Sequence, residues 1–166
     1  MEPEFEINPG FQTPPWCCDV MVSMVPAGVR TVLEPTPGLG NLASALRKAS
    51  YEVTAPTGDF FKQDWQGKKF DAVVMNPPFS PPKLGYDIMF QCMEMSESVI
   101  CLQPWEVIIN SERRLRRIKE YGLKSVSHLP RKTFPGARVR CCILELSKGY
   151  SGPVTFQAIE FKETRE

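Results

Sequence analysis

Short apolar runs alternate along this chain with longer segments in which apolar residues recur every three or four positions. Arg30 to Leu33, Tyr51 to Ala55, Phe70 to Met75 and Val99 to Leu102 read as strands. Between them, Leu42, Ala45, Leu46 and Ala49 keep helical spacing, as do Tyr86, Met89, Phe90 and Met93. Thr13-Pro14-Pro15, followed by Trp16, Val20, Met21 and Met24, predicts a helix with Thr13 as N-cap, proline in its first turn and Gly28 at its end. Ser111 opens another helix, through Leu115 and Ile118, that Gly122 closes. Leu123 to Leu129 and Val139 to Leu146 are strand-like, and Val154 to Phe161 predicts a last edge strand. Strands alternating with helices in this way imply an α/β fold, a mainly parallel sheet with helices on both faces.

A length of 166 residues predicts one domain spanning 1–166. No apolar stretch reaches membrane-spanning length, and the acidic start Met1-Glu-Pro-Glu is unlike a signal peptide, so a cytoplasmic protein without a membrane partner is expected. The six cysteines include two adjacent pairs, Cys17-Cys18 and Cys141-Cys142, but no Cys-x-x-Cys. That is the usage of a reducing compartment, with thiols as small core residues. With His128 the single histidine, neither a zinc site nor a His-based triad is expected.

The net charge of +1 hides an uneven distribution. Residues 1–110 carry 7 Lys/Arg against 13 Asp/Glu, whereas residues 111–140 carry 10 against 2. A segment of net +8 fits a polyanion partner or a solvated helix face, and charge alone does not choose between them.

Two motifs carry chemistry. Asn76-Pro77-Pro78-Phe79 ends the strand at Met75. The Asn76 side chain and the Pro77 carbonyl are acceptors that can hold an exocyclic amino group, and Phe79 offers a flat surface for the ring bearing it; an ordinary turn is the plainer reading of such a string. Glu34-Pro35-Thr36-Pro37-Gly38-Leu39-Gly40 joins a strand to a helix. Gly38 and Gly40 let a ligand approach the backbone, the helix start directs free N–H groups toward it, and Glu34 can take a cationic group or hydroxyls. In such folds both motifs lie at the carboxyl ends of strands, where ligands bind.

These residues resemble the amino-group DNA methyltransferases that use S-adenosylmethionine, in the adenine-N6 branch. Gln12-Thr-Pro-Pro-Trp16 is similar to that family's N-terminal helix motif, Leu33-Glu-Pro-Thr-Pro-Gly-Leu-Gly40 to its cofactor loop, and Asn76-Pro-Pro-Phe79 to its catalytic tetrapeptide. Gly58-Asp-Phe-Phe61 resembles the acidic-aromatic motif that holds the cofactor's adenine, and Phe134-Pro-Gly136 the late loop that contacts the target base. The resemblance implies a Rossmann-like S-adenosylmethionine-dependent methyltransferase fold. It implies catalytic roles for Asn76, Pro77, Pro78 and Phe79, and cofactor contacts from Thr13, Glu34, Pro35, Gly38, Gly40, Asp59 and Phe60. Phe79 and Phe134 would flank the target base. Arg113, Arg114, Arg116, Arg117, Arg131, Lys132 and Arg138 would meet the nucleic-acid backbone, with no metal required.

Two departures from the family pattern shape the expectation. Tyr51-Glu-Val-Thr-Ala-Pro56 runs almost directly into Gly58-Asp59, so the fold should be compressed between its first and fourth strands; the ribose contact is left unassigned, with Glu52 a candidate that strand alternation could equally turn to solvent. No large target-recognition region follows the last motif, so specificity toward DNA, or RNA, would come from short loops, a homo-oligomer or a partner subunit. An RNA adenine-N6 methyltransferase, a protein glutamine methyltransferase and a noncatalytic subunit of a methyltransferase complex are the alternatives.

Overall fold

The computed structural model describes residues 11–160. Seven strands form one sheet: β1 (Thr31–Leu33), β2 (Glu52–Thr54), β3 (Ala72–Met75), β4 (Ser98–Pro104), β5 (Leu123–His128), β6 (Cys141–Ser147) and β7 (Thr155–Ala158), in the order β2-β1-β3-β4-β6-β5-β7. The β2-β1-β3-β4 run is parallel, β6 is antiparallel to both β4 and β5, and β7 pairs parallel to β5 along the edge. The helices are α1 (Pro15–Ser23), α2 (Asn41–Lys48), α3 (Pro82–Met95), the single turn α4 (Glu106–Ile109) and α5 (Glu112–Tyr121). The sequence-predicted strands and helices all form, as does the mainly parallel sheet.

Central strands read as unbroken apolar runs because both of their faces are covered. Every residue of β3 and β4 is buried, and alternate residues serve opposite sides. Leu33, Val73, Met75, Val99 and Cys101 pack against α3 and Ile118 of α5, together with Phe60. Val32, Ala72, Val74, Ile100 and Leu102 pack against Cys17, Cys18 and Met21 of α1 and Leu42 and Leu46 of α2. All six cysteines are free and buried, as their use as small apolar residues predicts. Burial raises their thiol pKa values, to about 12 for Cys17 and about 11 for Cys18, so these groups stay protonated.

The expected compression is present. Between Thr54 and Ala72 the chain forms only a short 3-10 turn, Phe60–Lys62, which leaves β2 as the sheet edge. From β1 the order runs to β2 on one side and to β3 on the other, so a crevice opens at the carboxyl ends of β1 and β3. Glu52 opens β2 opposite Thr31, at the far end of the sheet from that crevice, and is exposed. It is poorly placed to reach a ligand there, because a three-residue strand of about 10 Å separates the two ends.

α1 departs from expectation at its start. Its N-cap is Pro14, which makes no side-chain bond, and its last turn closes at Met24, before Gly28. Thr13 is instead turned inward and is 4% exposed. Its hydroxyl has a different use.

Candidate active site

The turn after β1 and the tetrapeptide after β3 face each other. Thr36 Oγ1 donates to the Asn76 carbonyl at 3.3 Å, and Glu34, Thr36, Pro37 and Asn76 line one cavity with Phe11, Gln12, Thr13, Asn41 and Leu42. Gly38 and Gly40 have φ of 53° and 89°, values that allow the tight turn into α2 and that side chains resist. Gly40 caps α2 without a side-chain bond, so the first helical N–H groups are left for a ligand.

Glu34, 2% exposed, accepts the Thr36 N–H at 2.8 Å on Oε1. Burial pushes its pKa up to about 8, against a smaller opposing effect of the Thr36 hydrogen bonds. No ion pair to Glu34 occurs among the described residues. A buried carboxylate without a cation favours a ligand that brings one.

Asn76 is held by its N–H2 group. Nδ2 donates to the Phe11 carbonyl at 2.8 Å and to Thr13 Oγ1 at 3.1 Å. A carbonyl cannot donate, so the atom facing Phe11 must be the amide nitrogen. Oδ1 is thereby turned the other way and accepts nothing from the described residues, and neither does the adjacent Pro77 carbonyl.

Beneath the tetrapeptide, α3 approaches unusually closely. A Cβ on Gly85 would lie 2.5 Å from the Pro78 carbonyl, so only glycine fits. Gln103, fully buried at the end of β4, donates to the Gly85 carbonyl at 3.1 Å. Sequence reading passed over both residues. A glycine inside a helical pattern was the available signal, since it costs about 1 kcal/mol against alanine unless a close approach needs it.

The space between the two motifs is nearly filled by side chains. Its cavity measures about 30 Å³, room for a water or two and far below a nucleoside. Gln12 Oε1 accepts the Leu39 N–H at 2.9 Å and lies 2.6 Å from where a Cβ on Gly38 would stand. Phe11, Phe79 and Phe134 form a triangle of rings with centroids 5.3, 5.7 and 6.1 Å apart. Phe134 is 3% exposed, and the two rings expected to flank a base pack against Phe11, one edge-on and one tilted. Residues 11 and 12 thus engage the Leu39 N–H, the Asn76 N–H2 group and the Phe79 and Phe134 rings.

The remaining predicted residues divide. Asp59 Oδ1 accepts the Phe61 N–H at 2.9 Å and caps the 3-10 turn. Phe60 is 1% exposed and packs on Trp65 at 5.1 Å, so its ring is committed to the core, whereas Phe61 is 47% exposed. Pro35 lies in the turn, and Pro77 is buried beside Gly85. Arg114 sits 4.4 Å over the Tyr86 ring and donates to the Glu106 and Val107 carbonyls, and Arg117 sits 4.0 Å over Phe90. Arg114 is thereby spent on joining α5 to α3 and α4, whereas Arg117 covers Phe90 and remains exposed. Arg113, Arg116, Arg131, Lys132 and Arg138 are exposed.

Solved structures share this architecture. A protein from Listeria monocytogenes described as a class I S-adenosylmethionine-dependent methyltransferase aligns over 93% of this chain and 68% of its own, at 16% identity and a TM-score of 0.70. The fold is that of the S-adenosylmethionine-dependent methyltransferases. A type I restriction-modification methyltransferase subunit from Streptococcus thermophilus aligns over 90% of this chain at 19% identity and a TM-score of 0.70, and this chain spans 47% of its length. An RNA methyltransferase from Pyrococcus horikoshii aligns over 83% of this chain and 87% of its own, at 16% identity and a TM-score of 0.54. No protein-family model and no curated protein sequence matches the chain. Among the described residues no helix is long and apolar enough to cross a membrane, and no cluster of side chains is suited to a metal ion.

Proposed function

We propose that this chain transfers a methyl group from S-adenosylmethionine to the exocyclic N6 of adenine in DNA, in a cytoplasmic setting suited to its free thiols. The observation that carries this reading is the pair of acceptors without a partner among the described residues, Asn76 Oδ1 and the Pro77 carbonyl, beside a glycine turn and a buried carboxylate. Glu34 and the backbone of Gly38 to Gly40 would hold the cofactor, with Glu34 meeting its ammonium group. When bound, S-adenosylmethionine supplies a methyl carbon made electrophilic by the sulfonium.

The amine of adenine is a poor nucleophile because its lone pair is delocalised into the ring. Asn76 Oδ1 and the Pro77 carbonyl, each accepting one N–H, favour a pyramidal nitrogen whose lone pair points at the methyl carbon. Transfer would form the N–C bond as the donor's C–S bond breaks, and the nitrogen would pass its extra proton to water. Positioning and fixed dipoles carry most of such a step, and no strong base is needed. A base in a duplex must first be flipped out, costing roughly a few kcal/mol, and stacking on Phe79 offsets about 1 to 3 kcal/mol of this. Entry requires Phe11 to leave the ring triangle and Gln12 to release the Leu39 N–H.

Exposed Arg113, Arg116, Arg131, Lys132 and Arg138 would neutralise backbone phosphates. Recognition of particular sequences would fall to a homo-oligomer or a partner subunit. Tritiated-methyl transfer to DNA, RNA and protein pools, followed by nucleoside identification, tests the reading. Label in N6-methyladenine from DNA is expected; label confined to RNA, to protein or to another base would replace the substrate assignment.

A further inference from the structure

Asn76 can present either end of its amide to a substrate, and only the oxygen can accept an N–H. One neighbour decides which end it is, and a second steadies it. The Phe11 carbonyl at 2.8 Å can only accept, and Thr13 Oγ1 at 3.1 Å completes the second N–H bond from the same nitrogen. Thr13 is almost fully buried just before α1, where its hydroxyl is not used as a helix cap. The Asn41 side chain donates to the Thr13 carbonyl at 3.1 Å, and Cys18 Sγ approaches the same carbonyl at 3.5 Å, so the residue is anchored from the α1 and α2 side.

We propose that Thr13 is a positioning residue, whose hydroxyl locks the Asn76 amide with Oδ1 toward the substrate nitrogen. The inference rests on the proposed methyl transfer and adds to it a role distinct from cofactor contact. The Phe11 carbonyl sets the sense of the amide, because it can only accept, and the Thr13 hydroxyl holds the second N–H in place. Without that hydroxyl the amide hangs from a single bond and can swing Oδ1 away from the amine it must meet.

Thr13→Val keeps the shape and removes the hydroxyl, whereas Thr13→Ser restores it. In Thr13→Val, kcat should fall about tenfold, as expected for one lost hydrogen bond that orients a reacting group. Thr13→Ser should recover most of the rate. In an Asn76→Ala background, Thr13→Val should cost nothing further.

A second readout does not depend on turnover. The side-chain amide protons of Asn76, assigned by their loss in Asn76→Ala, should exchange with water faster in Thr13→Val than in wild type or Thr13→Ser. Unchanged exchange in Thr13→Val, wild-type kcat in that variant, or failure of serine to rescue would overturn the inference. If wild-type protein methylates nothing, the functional reading falls by itself, and the exchange measurement still decides whether Thr13 orients Asn76.

Discussion

Replacing Glu34 by glutamine should make the protein more stable in alkaline solution while weakening its hold on S-adenosylmethionine. The carboxyl is buried, and its pKa of about 8 stands well above its ordinary 4.5. The raised value means that the native state keeps its proton where the unfolded chain has already released it. Native stability is therefore highest below about pH 4.5, falls as the pH rises toward 8 and levels off beyond. The gap between 4.5 and about 8, at about 1.36 kcal/mol per pH unit, sets a ceiling of about 5 kcal/mol on the loss. Water entering the small cavity would reduce it to several kcal/mol. The glutamine side chain has no ionisable proton, and its carbonyl can still accept the Thr36 N–H. Urea unfolding of wild type and Glu34→Gln at about pH 4.5, 7 and 9 should give a stability difference near zero in acid that grows in favour of the variant as the pH rises. Calorimetric affinity for S-adenosylmethionine should fall at the same time, because the ligand's ammonium loses its partner. A difference that is flat with pH would refute the claim that Glu34 is a buried, cation-lacking carboxylate, and unaltered affinity would remove it from the cofactor site.

Three further outcomes are expected. Gly38→Val should abolish S-adenosylmethionine binding, because φ of 53° disfavours valine and its Cβ would occupy the space now held by the Gln12 amide; calorimetry reads this directly. Gly85→Ala should cost about 1 to 3 kcal/mol in urea unfolding, since the new Cβ meets a backbone carbonyl at 2.5 Å and α3 or the tetrapeptide must shift. Arg131→Ala and Arg138→Ala should each reduce the salt dependence of DNA binding by about one counterion, whereas Arg114→Ala should mainly lower stability, by about 1 to 2 kcal/mol, through its lost contacts with Tyr86 and α4.

Strand positions, the two facing motifs and the compressed edge were legible because each depends on local pattern. The all-apolar run at Ala72 to Met75 requires cover on both faces, and Gly38 and Gly40 announce a turn that other residues resist. Side-chain destinations set by tertiary partners were not legible. Thr13-Pro14-Pro15 has the chemistry of a helix start, yet the hydroxyl bonds Asn76, 63 positions away. Either phenylalanine of Phe60-Phe61 could have faced a ligand, and only the position of Trp65 determines that Phe60 goes inward. A run of arginines reads as uniform charge; Arg114 and Arg117 are distinguished by the aromatic rings that α3 places beneath them. Nothing local announced that Phe11 and Gln12 would fold back over the site, because their partners come from three separate loops.

The central claim is that Asn76 presents its amide oxygen to an adenine amine next to a bound methyl donor. Incubation of wild type and Asn76→Ala with tritiated S-adenosylmethionine and adenine-rich DNA, with cofactor affinity measured on the same samples, tests it most directly. The account predicts label in N6-methyladenine for wild type, and loss of at least about a hundredfold in Asn76→Ala with affinity retained. Equal label from the two proteins, or none from wild type that binds the cofactor and the DNA, would contradict it.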